Sequence, residues 1–74
     1  MASKMMCLIT SSEEGKGAYG VTRDTDENVY FPVGLSEMLG LEEFEEVEAI
    51  VVKNDRAEPP LKAIRVRRPG DEAS

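Results

Sequence analysis

The chain has 74 residues, a formal net charge of −6 and an isoelectric point near 4.5. Its length allows one domain with a small core, and its 41% hydrophobic content is sufficient for that core to fold. Nine basic residues against fifteen acidic ones argue against binding a polyanion over the whole surface. The lack of histidine and the presence of one cysteine exclude a zinc cluster and an intrachain disulfide.

Residues 1–3 are expected to form a disordered start, and residues 4–10 predict a first strand. The apolar run within it, residues 5–9, is too short for a signal-peptide core or a membrane span. Cys7 is the single cysteine, which fits a reducing cytoplasm, and its apolar surroundings argue against a reactive thiolate. Residues 11–15 contain two serines, two glutamates and a glycine, and they predict a turn.

Residues 16–33 predict a β-hairpin, with strands over residues 17–22 and 28–33 and a polar turn over residues 23–27. Successive side chains of a strand point to opposite faces, so two tyrosines are expected side by side on one face. The residues predicted on that face are Tyr19, Val21, Tyr30 and Pro32. The residues predicted on the opposite, inward face are Ala18, Gly20, Thr22, Val29, Phe31 and Val33.

Pro32 cannot donate a hydrogen bond to a neighbouring strand, so it is expected to close its strand or to lie on an edge. Residues 34–41, which follow it, predict a short helix. Ser36 is the predicted N-cap, and a glycine is expected to end the helix. Residues 42–46 carry four glutamates around Phe44. This segment predicts either a second helical turn or a loop that packs the phenylalanine on the barrel.

Residues 47–53 predict a fourth strand and residues 61–68 a fifth, separated by a turn-rich loop over residues 54–60. Residues 69–74 are expected to form a flexible acidic tail. Side chains predicted to face inward are Val47, Ala49, Val51, Ile64 and Val66. Side chains predicted to face outward are Ile50, Val52, Arg65 and Arg67. Five strands with one short helical turn between the third and the fourth predict an all-β fold, a small barrel over residues 4–68.

The hairpin contains the runs KGAYGV, at residues 16–21, and VYFPV, at residues 29–33. These runs resemble two motifs of the cold-shock domain, a five-stranded OB-type barrel that binds single-stranded RNA or DNA. The family's motifs are lysine-glycine-aromatic-glycine-aromatic and valine-aromatic-valine-histidine-aromatic, and Ala18 is an extra residue in the first. Residues 34–36 are similar to the family's short helical turn and residues 63–67 to its closing strand, so the resemblance covers most of the chain.

The aromatic and histidine positions of these motifs are only partly retained. Val21 replaces the second aromatic of the first run, Pro32 the histidine of the second, and Val33 the aromatic after it. The family's first-strand tryptophan also has no counterpart. Tyr19 and Tyr30 remain as stacking aromatics, so the resemblance implies weak binding of single-stranded nucleic acid, by an RNA or DNA chaperone or a regulator of transcription or translation. The alternative is an ordinary cross-strand pair of tyrosines that covers the barrel.

Phosphate binding requires basic side chains beside the rings. Four of the nine basic residues fall between Lys62 and Arg68, so a positive patch is expected if the fifth strand lies near the hairpin; the alternative is a solvated strand face. The predicted patch consists of Lys16, Arg23, Lys62, Arg65, Arg67 and Arg68. The residues assigned to nucleic-acid binding are Lys16, Tyr19, Val21, Arg23, Tyr30, Pro32, Arg65 and Arg67.

A second hypothesis keeps the barrel and replaces the nucleic acid by a protein. The acidic run over residues 42–48 presents carboxylates much as nucleic acid presents phosphates, and would meet the basic groove of a nucleic-acid-handling protein. Ile50 and Val52 would supply the apolar centre of that interface. Equally, they could form the interface of a homodimer, and the sequence leaves open whether the protein is a monomer or a homodimer. The residues assigned to protein binding are Glu42, Glu43, Glu45, Glu46, Ile50 and Val52. The alternative is a solvated acidic face.

Catalysis, a cofactor and a metal are not expected. No histidine is present to act as a general base, and the carboxylates lie in loops and acidic runs without a positioned partner. The run Gly15-Lys16-Gly17 is too short for a phosphate-binding loop, and no helix is predicted directly after it. We therefore expect a protein that binds and does not catalyse.

Overall fold

The computed structural model of the protein describes residues 2–55 and 59–69. The elements, in chain order, are β1 (Ser3–Glu13), β2 (Gly17–Thr22), β3 (Asn28–Phe31), α1 (Val33–Leu39), β4 (Glu46–Lys53) and β5 (Leu61–Arg67). The strands close into a barrel with the order β1-β2-β3-β5-β4, in which β1 pairs with both β2 and β4. β3 and β5 close it as parallel neighbours, with Tyr30 opposite Lys62. The predicted five-stranded OB-type barrel, with a short helix between the third and fourth strands, is confirmed.

β1 is longer than predicted at both ends, because the structure places Ser3 in the strand and continues the strand through the first half of the predicted turn. A one-residue bulge at Thr10 shifts the register with β2 and lets the pairing go on. The Ser12 hydroxyl donates a hydrogen bond to the carbonyl oxygen of Leu41 at 2.8 Å, which satisfies a polar side chain within the strand. At the other end of the chain, the predicted acidic tail lies outside the described residues from residue 70 onward.

The core forms where the inward faces of the strands meet. The alternation predicted for β2, β3 and β4 is confirmed, because every second residue of these strands is buried. The buried apolar residues are Cys7, Ile9, Ala18, Val29, Phe31, Leu41, Val47, Ala49, Val51 and Ala63. Val66 packs against this core as predicted.

The helix begins directly after Pro32, earlier than predicted. Ser36 is not its cap: it lies inside the helix and is buried, while Pro32 occupies the N-cap without a side-chain hydrogen bond. Because β3 stops at Phe31, Val33 starts the helix and is exposed, so its predicted inward placement is wrong. Gly40 ends the helix in the left-handed conformation, with φ of 64°, as predicted.

β5 departs from the prediction at Ile64. Ile50 pairs with Arg65 and Val51 pairs with Ala63, so Ile64 is the extra residue of a β-bulge. The bulge reverses the alternation, and Ala63 takes the inward position while Ile64 is 45% exposed. The inward placement predicted for Ile64 is therefore wrong, because a simple period of two cannot contain an extra residue.

The segment between α1 and β4 is a loop. Its backbone is tied to β1, since the Phe44 N–H donates to the carbonyl oxygen of Ile9 at 2.7 Å and the Ile9 N–H donates to the carbonyl oxygen of Glu45 at 2.8 Å. The prediction that a loop here packs Phe44 on the barrel is wrong. Phe44 is 77% exposed. Its φ of 67° lies in the left-handed region, which a bulky residue occupies only at a cost of about 1–2 kcal/mol.

Candidate nucleic-acid interface

Tyr19 of β2 and Tyr30 of β3 are direct cross-strand partners on the outer face of the barrel. Their ring centroids lie 5.4 Å apart and the ring planes are tilted by 45°, within the range of favourable aromatic contacts. Tyr19 is 44% exposed and Tyr30 is half-buried. The two rings therefore form a small aromatic surface on the β2–β3 face, which we call the tyrosine platform.

Gly17 makes room for the Tyr30 ring. A Cβ atom at this position would lie 3.3 Å from Tyr30 Cε1 and 2.6 Å from the carbonyl oxygen of Phe31, and the backbone φ is +91°. Glycine avoids both the close approach and the backbone strain. Tyr30 is thus held between the Gly17 backbone and the Tyr19 ring. The sequence signal for this support was the glycine that starts the second strand, but its contact with Tyr30 depends on the strand register.

One row of cross-strand neighbours crosses the platform, namely Ser11, Tyr19, Tyr30 and Lys62. Lys62 enters the row through the parallel pairing of β3 with β5. Within the described residues, no carboxylate oxygen lies within the 4.0 Å ion-pair distance of its ammonium group. The sequence placed Lys62 in a basic patch but not among the assigned binding residues, because only the register sets it beside Tyr30.

Three of the assigned residues border the platform. Lys16, in the turn before β2, forms an ion pair with Glu13 at 3.5 Å, and both side chains are largely exposed. Such a pair contributes about 0–1 kcal/mol, so the ammonium group can exchange its partner for a phosphate at little cost. Val21 is half-buried on the outer face of β2, opposite Leu8 of β1. Pro32 is half-buried between β3 and α1.

The arginines of the predicted positive patch are engaged with carboxylates or lie away from the tyrosines. Arg23 binds Glu46 and Arg67 binds Glu48, each through a side-chain hydrogen bond and an ion pair. The hydrogen bond to Glu46 raises the pKa of Arg23. Arg65 lies farther along β5, opposite β4 and beyond the residues that pair with β3. The antiparallel β4–β5 pairing sets the acidic start of β4 beside the basic end of β5, and this brings Arg67 to Glu48.

The acidic run is partly neutralised in the same way. The Arg68 guanidinium binds the Glu45 carboxylate and also donates to the carbonyl oxygen of Leu39 at 2.7 Å. The hydrogen bond from Arg68 lowers the pKa of Glu45. Glu42 and Glu43 are exposed, and among the described residues no basic group lies within ion-pair distance of them.

These contacts change the set of residues assigned to protein binding. Glu45 and Glu46 are ion-paired within the chain. Ile50 and Val52, predicted to be exposed, are half-buried; Ile50 lies between Lys4 of β1 and Arg65 of β5, and Val52 pairs with a lysine of β5. Phe44 is the exposed apolar side chain of this region instead.

The described residues show few groups suited to chemistry. In residues 2–55 and 59–69, no three side chains of the metal-ligating types come together. Cys7 is fully buried, and burial raises the pKa of its thiol to about 11, so it stays protonated at neutral pH. No helix in this part of the chain combines the length and apolar character needed to cross a membrane.

Comparison with known proteins identifies no relative, because no protein-family model, no curated protein and no solved structure matches the chain. The resemblance to the cold-shock domain therefore stays an expectation that rests on two sequence motifs. Function has to be argued from the residues that the barrel brings together.

Proposed function

We propose that the protein binds single-stranded RNA or DNA weakly on the outer face of β2 and β3. The tyrosine platform carries this proposal, because its rings lie 5.4 Å apart and Tyr19 is 44% exposed on the outer face. OB barrels use the face of their second and third strands for oligonucleotides. Stacking on tyrosine tolerates any base, since every base has a π-face, and contributes about 1–3 kcal/mol per base.

Positive charge for phosphate contacts comes from Lys62, the cross-strand neighbour of Tyr30, and from Lys16, in the turn before β2. With two phosphate contacts, log Kobs for a single strand falls with log salt concentration at a slope of about −1.4. Two stacked bases contribute about 2–6 kcal/mol, which corresponds to a Kd of roughly 40 μM or weaker. The net charge of −6 opposes a polyanion and lowers the affinity further. Weak and sequence-tolerant binding supports a role as a cytoplasmic chaperone of RNA or DNA, or as a regulator of transcription or translation.

The test is a titration of fluorescently labelled single strands, RNA and DNA, followed by anisotropy at about 25 and 150 mM salt. Wild type is compared with Tyr19→Leu/Tyr30→Leu, which keeps the apolar cover of the barrel and removes the π-faces. We expect the double variant to lose affinity by about tenfold or more. Equal binding by the two proteins, or no binding by wild type at low salt, would refute the proposal.

Two further variants separate the contributions. Tyr19→Phe/Tyr30→Phe is the matched control, because phenylalanine retains stacking, and its affinity should stay within about threefold of wild type. Lys62→Gln removes one phosphate contact, so the salt slope should become shallower by about 0.7. An unchanged slope would place the nucleic acid away from β5.

A second candidate function is protein binding at the acidic loop, here defined as residues 42–44. The observation that favours it is Phe44, whose ring projects into solvent from a strained backbone between acidic neighbours. An aromatic anchor with a rim of carboxylates fits a protein that has a basic groove, such as a nucleic-acid-handling protein.

This second candidate is tested by capture experiments with wild type, with Glu42→Lys/Glu43→Lys, and with the tyrosine-to-leucine variant. A recurrent basic protein should be captured by wild type and by the tyrosine variant, and be lost on charge reversal. Its affinity for the loop would then be measured with the purified proteins. Equal capture by the charge-reversed variant would remove the acidic loop from consideration.

A further inference from the structure

An open groove of about 560 Å³ lies where α1 runs beside β5, on a part of the surface that the tyrosine platform does not include. Its apolar lining includes Leu35 and Met38 of α1 and Ile64 of β5. Met38 is 74% exposed, and Ile64 is turned outward by the bulge described above. Two large apolar side chains thus face solvent in one groove, and clustered exposed apolar groups mark interaction sites.

The charged residues of the groove give it a positive character. Lys4 and Arg65 line it, and among the described residues neither has a carboxylate within ion-pair distance. Glu48, which also lines the groove, is bound by Arg67. The groove is therefore locally positive in a chain whose net charge is −6. Its complement is a segment that combines an apolar side chain with negative charge.

The acidic loop of the same chain has that composition. Glu42 and Glu43 are exposed, and Phe44 follows them with 77% of its side chain accessible. Because the ring is exposed, it does not occupy the groove of its own chain. Its φ of 67° costs stability relative to glycine, and the backbone hydrogen bonds between its loop and Ile9 hold it in this conformation with the ring exposed.

We propose that the acidic loop of one copy docks into the groove of a second copy. Phe44 contacts Met38 and Ile64 of the other molecule, and the carboxylates of the loop face Lys4 and Arg65. Loop and groove are different surfaces, so the contact is heterologous unless two copies exchange loops reciprocally. The contact is small, so its Kd is expected at roughly 0.1–1 mM, and self-association grows with concentration.

The test uses two variants that each remove one side of the contact. Phe44→Gly removes the ring, and glycine accepts the left-handed conformation, so this variant keeps its fold. Met38→Glu/Ile64→Glu places charges in the groove at two exposed positions. Sedimentation velocity of each protein, up to about 1 mM, should show association for wild type and a monomer for each variant.

Mixing the two variants is the decisive measurement. The Phe44→Gly protein retains an intact groove and the groove variant retains an intact loop, so an equimolar mixture should form a 1:1 dimer that neither protein forms alone. The expected Kd of the mixture lies within about threefold of the wild-type value, once the wild-type value is corrected for the number of loop–groove contacts that each pair of molecules can form. A monomeric mixture, a monomeric wild type, or a Phe44→Gly protein that still associates would each overturn the proposal.

Charge exchange and the platform variants give an independent check. Arg65→Glu should weaken self-association by about tenfold, and Glu43→Arg in the partner should restore it in the mixture. Tyr19→Leu/Tyr30→Leu should associate as wild type does, and Phe44→Gly should bind oligonucleotides as wild type does. Loss of one activity without the other therefore distinguishes failure of this proposal from failure of nucleic-acid binding.

Discussion

Gly17 links the stability of the barrel to the tyrosine platform, and Gly17→Ala tests this link. The added Cβ atom would lie 2.6 Å from the carbonyl oxygen of Phe31 and 3.2 Å from the backbone nitrogen of Val33. Both neighbours are backbone atoms, so they cannot move aside by a change of rotamer. The substitution must therefore push β3 and the start of α1 away from β2, and displace the ring of Tyr30.

The expected magnitude follows from three contributions. The φ of +91° costs alanine about 1–2 kcal/mol, and the steric overlap costs about 1–3 kcal/mol. Restriction of the unfolded chain returns about 0.4–1 kcal/mol. The net loss in the free energy of unfolding is about 1–5 kcal/mol, against the roughly 4–11 kcal/mol expected for a domain of this size.

Gly15→Ala is the matched control. Gly15 also has a positive φ, of +81°, but an added Cβ would meet no atom within 4 Å. It should therefore lose only about 0.5–1 kcal/mol, from backbone strain alone. Urea unfolding followed by circular dichroism measures both variants, and tyrosine fluorescence reports the displacement of Tyr30. Equal stability of the two alanine variants would show that the Gly17 backbone is not packed closely against the carbonyl oxygen of Phe31.

Three further predictions concern stability and reactivity. Gly34→Ala should raise the free energy of unfolding by about 0.5–1 kcal/mol, because the residue lies in α1 and an added Cβ would meet no atom within 4 Å. Thermal melts should show a higher Tm for the variant. A lower Tm would contradict the helical conformation at this position. Arg68→Ala should lower the free energy of unfolding by about 1–2 kcal/mol at pH 7. Because Arg68 lowers the pKa of Glu45, the pair stabilises the fold above the unfolded pKa of about 4.3, and this stabilisation is lost as pH falls through the folded pKa of Glu45. Urea unfolding should therefore show a smaller effect of the substitution near pH 3 than at pH 7. Cys7 should react with a thiol reagent at least about 100-fold more slowly in the native state than in denaturant, since its pKa is about 11 and it is buried; fast native labelling would place it outside the core.

The sequence predicted much of the barrel because a strand on a barrel wall has one inward and one outward face. The period of two was visible in β2, β3 and β4, so the inward residues of these strands were identified correctly apart from Val33. The same period placed Tyr19 and Tyr30 on one face, and their pairing needed only the hairpin. The glycine stop of the helix was also local, because the left-handed conformation at Gly40 depends on one residue.

The errors fall where an inserted residue or a distant partner decides the outcome. The bulges at Thr10 and Ile64 add one residue to a ladder, and no local pattern marks which residue will be extra. Ser11 and Ser12 were assigned to a turn because of their composition, although the length of the neighbouring strand keeps them in the sheet. Residues 42–46 were predicted to form either a second helical turn or a loop that packs Phe44 on the barrel; they form a loop whose two backbone hydrogen bonds to Ile9 leave the ring exposed.

The sequence alone determined that this chain makes a small, acidic, five-stranded barrel with two tyrosines side by side. It could not determine how the charges are distributed over the surface, because that depends on which strands are neighbours. In the sequence, an acidic run at residues 42–48 and a basic cluster at residues 62–68 are separate segments. The antiparallel β4–β5 pairing sets them side by side, so that Arg67 meets Glu48, Arg68 meets Glu45, and the lysine at the start of β5 is left beside Tyr30. The alternation of inward and outward side chains along a strand can be predicted from the sequence. The ion-pair partner of a charged side chain depends on which strands pair and in which register, because Coulomb attraction acts between neighbours in space.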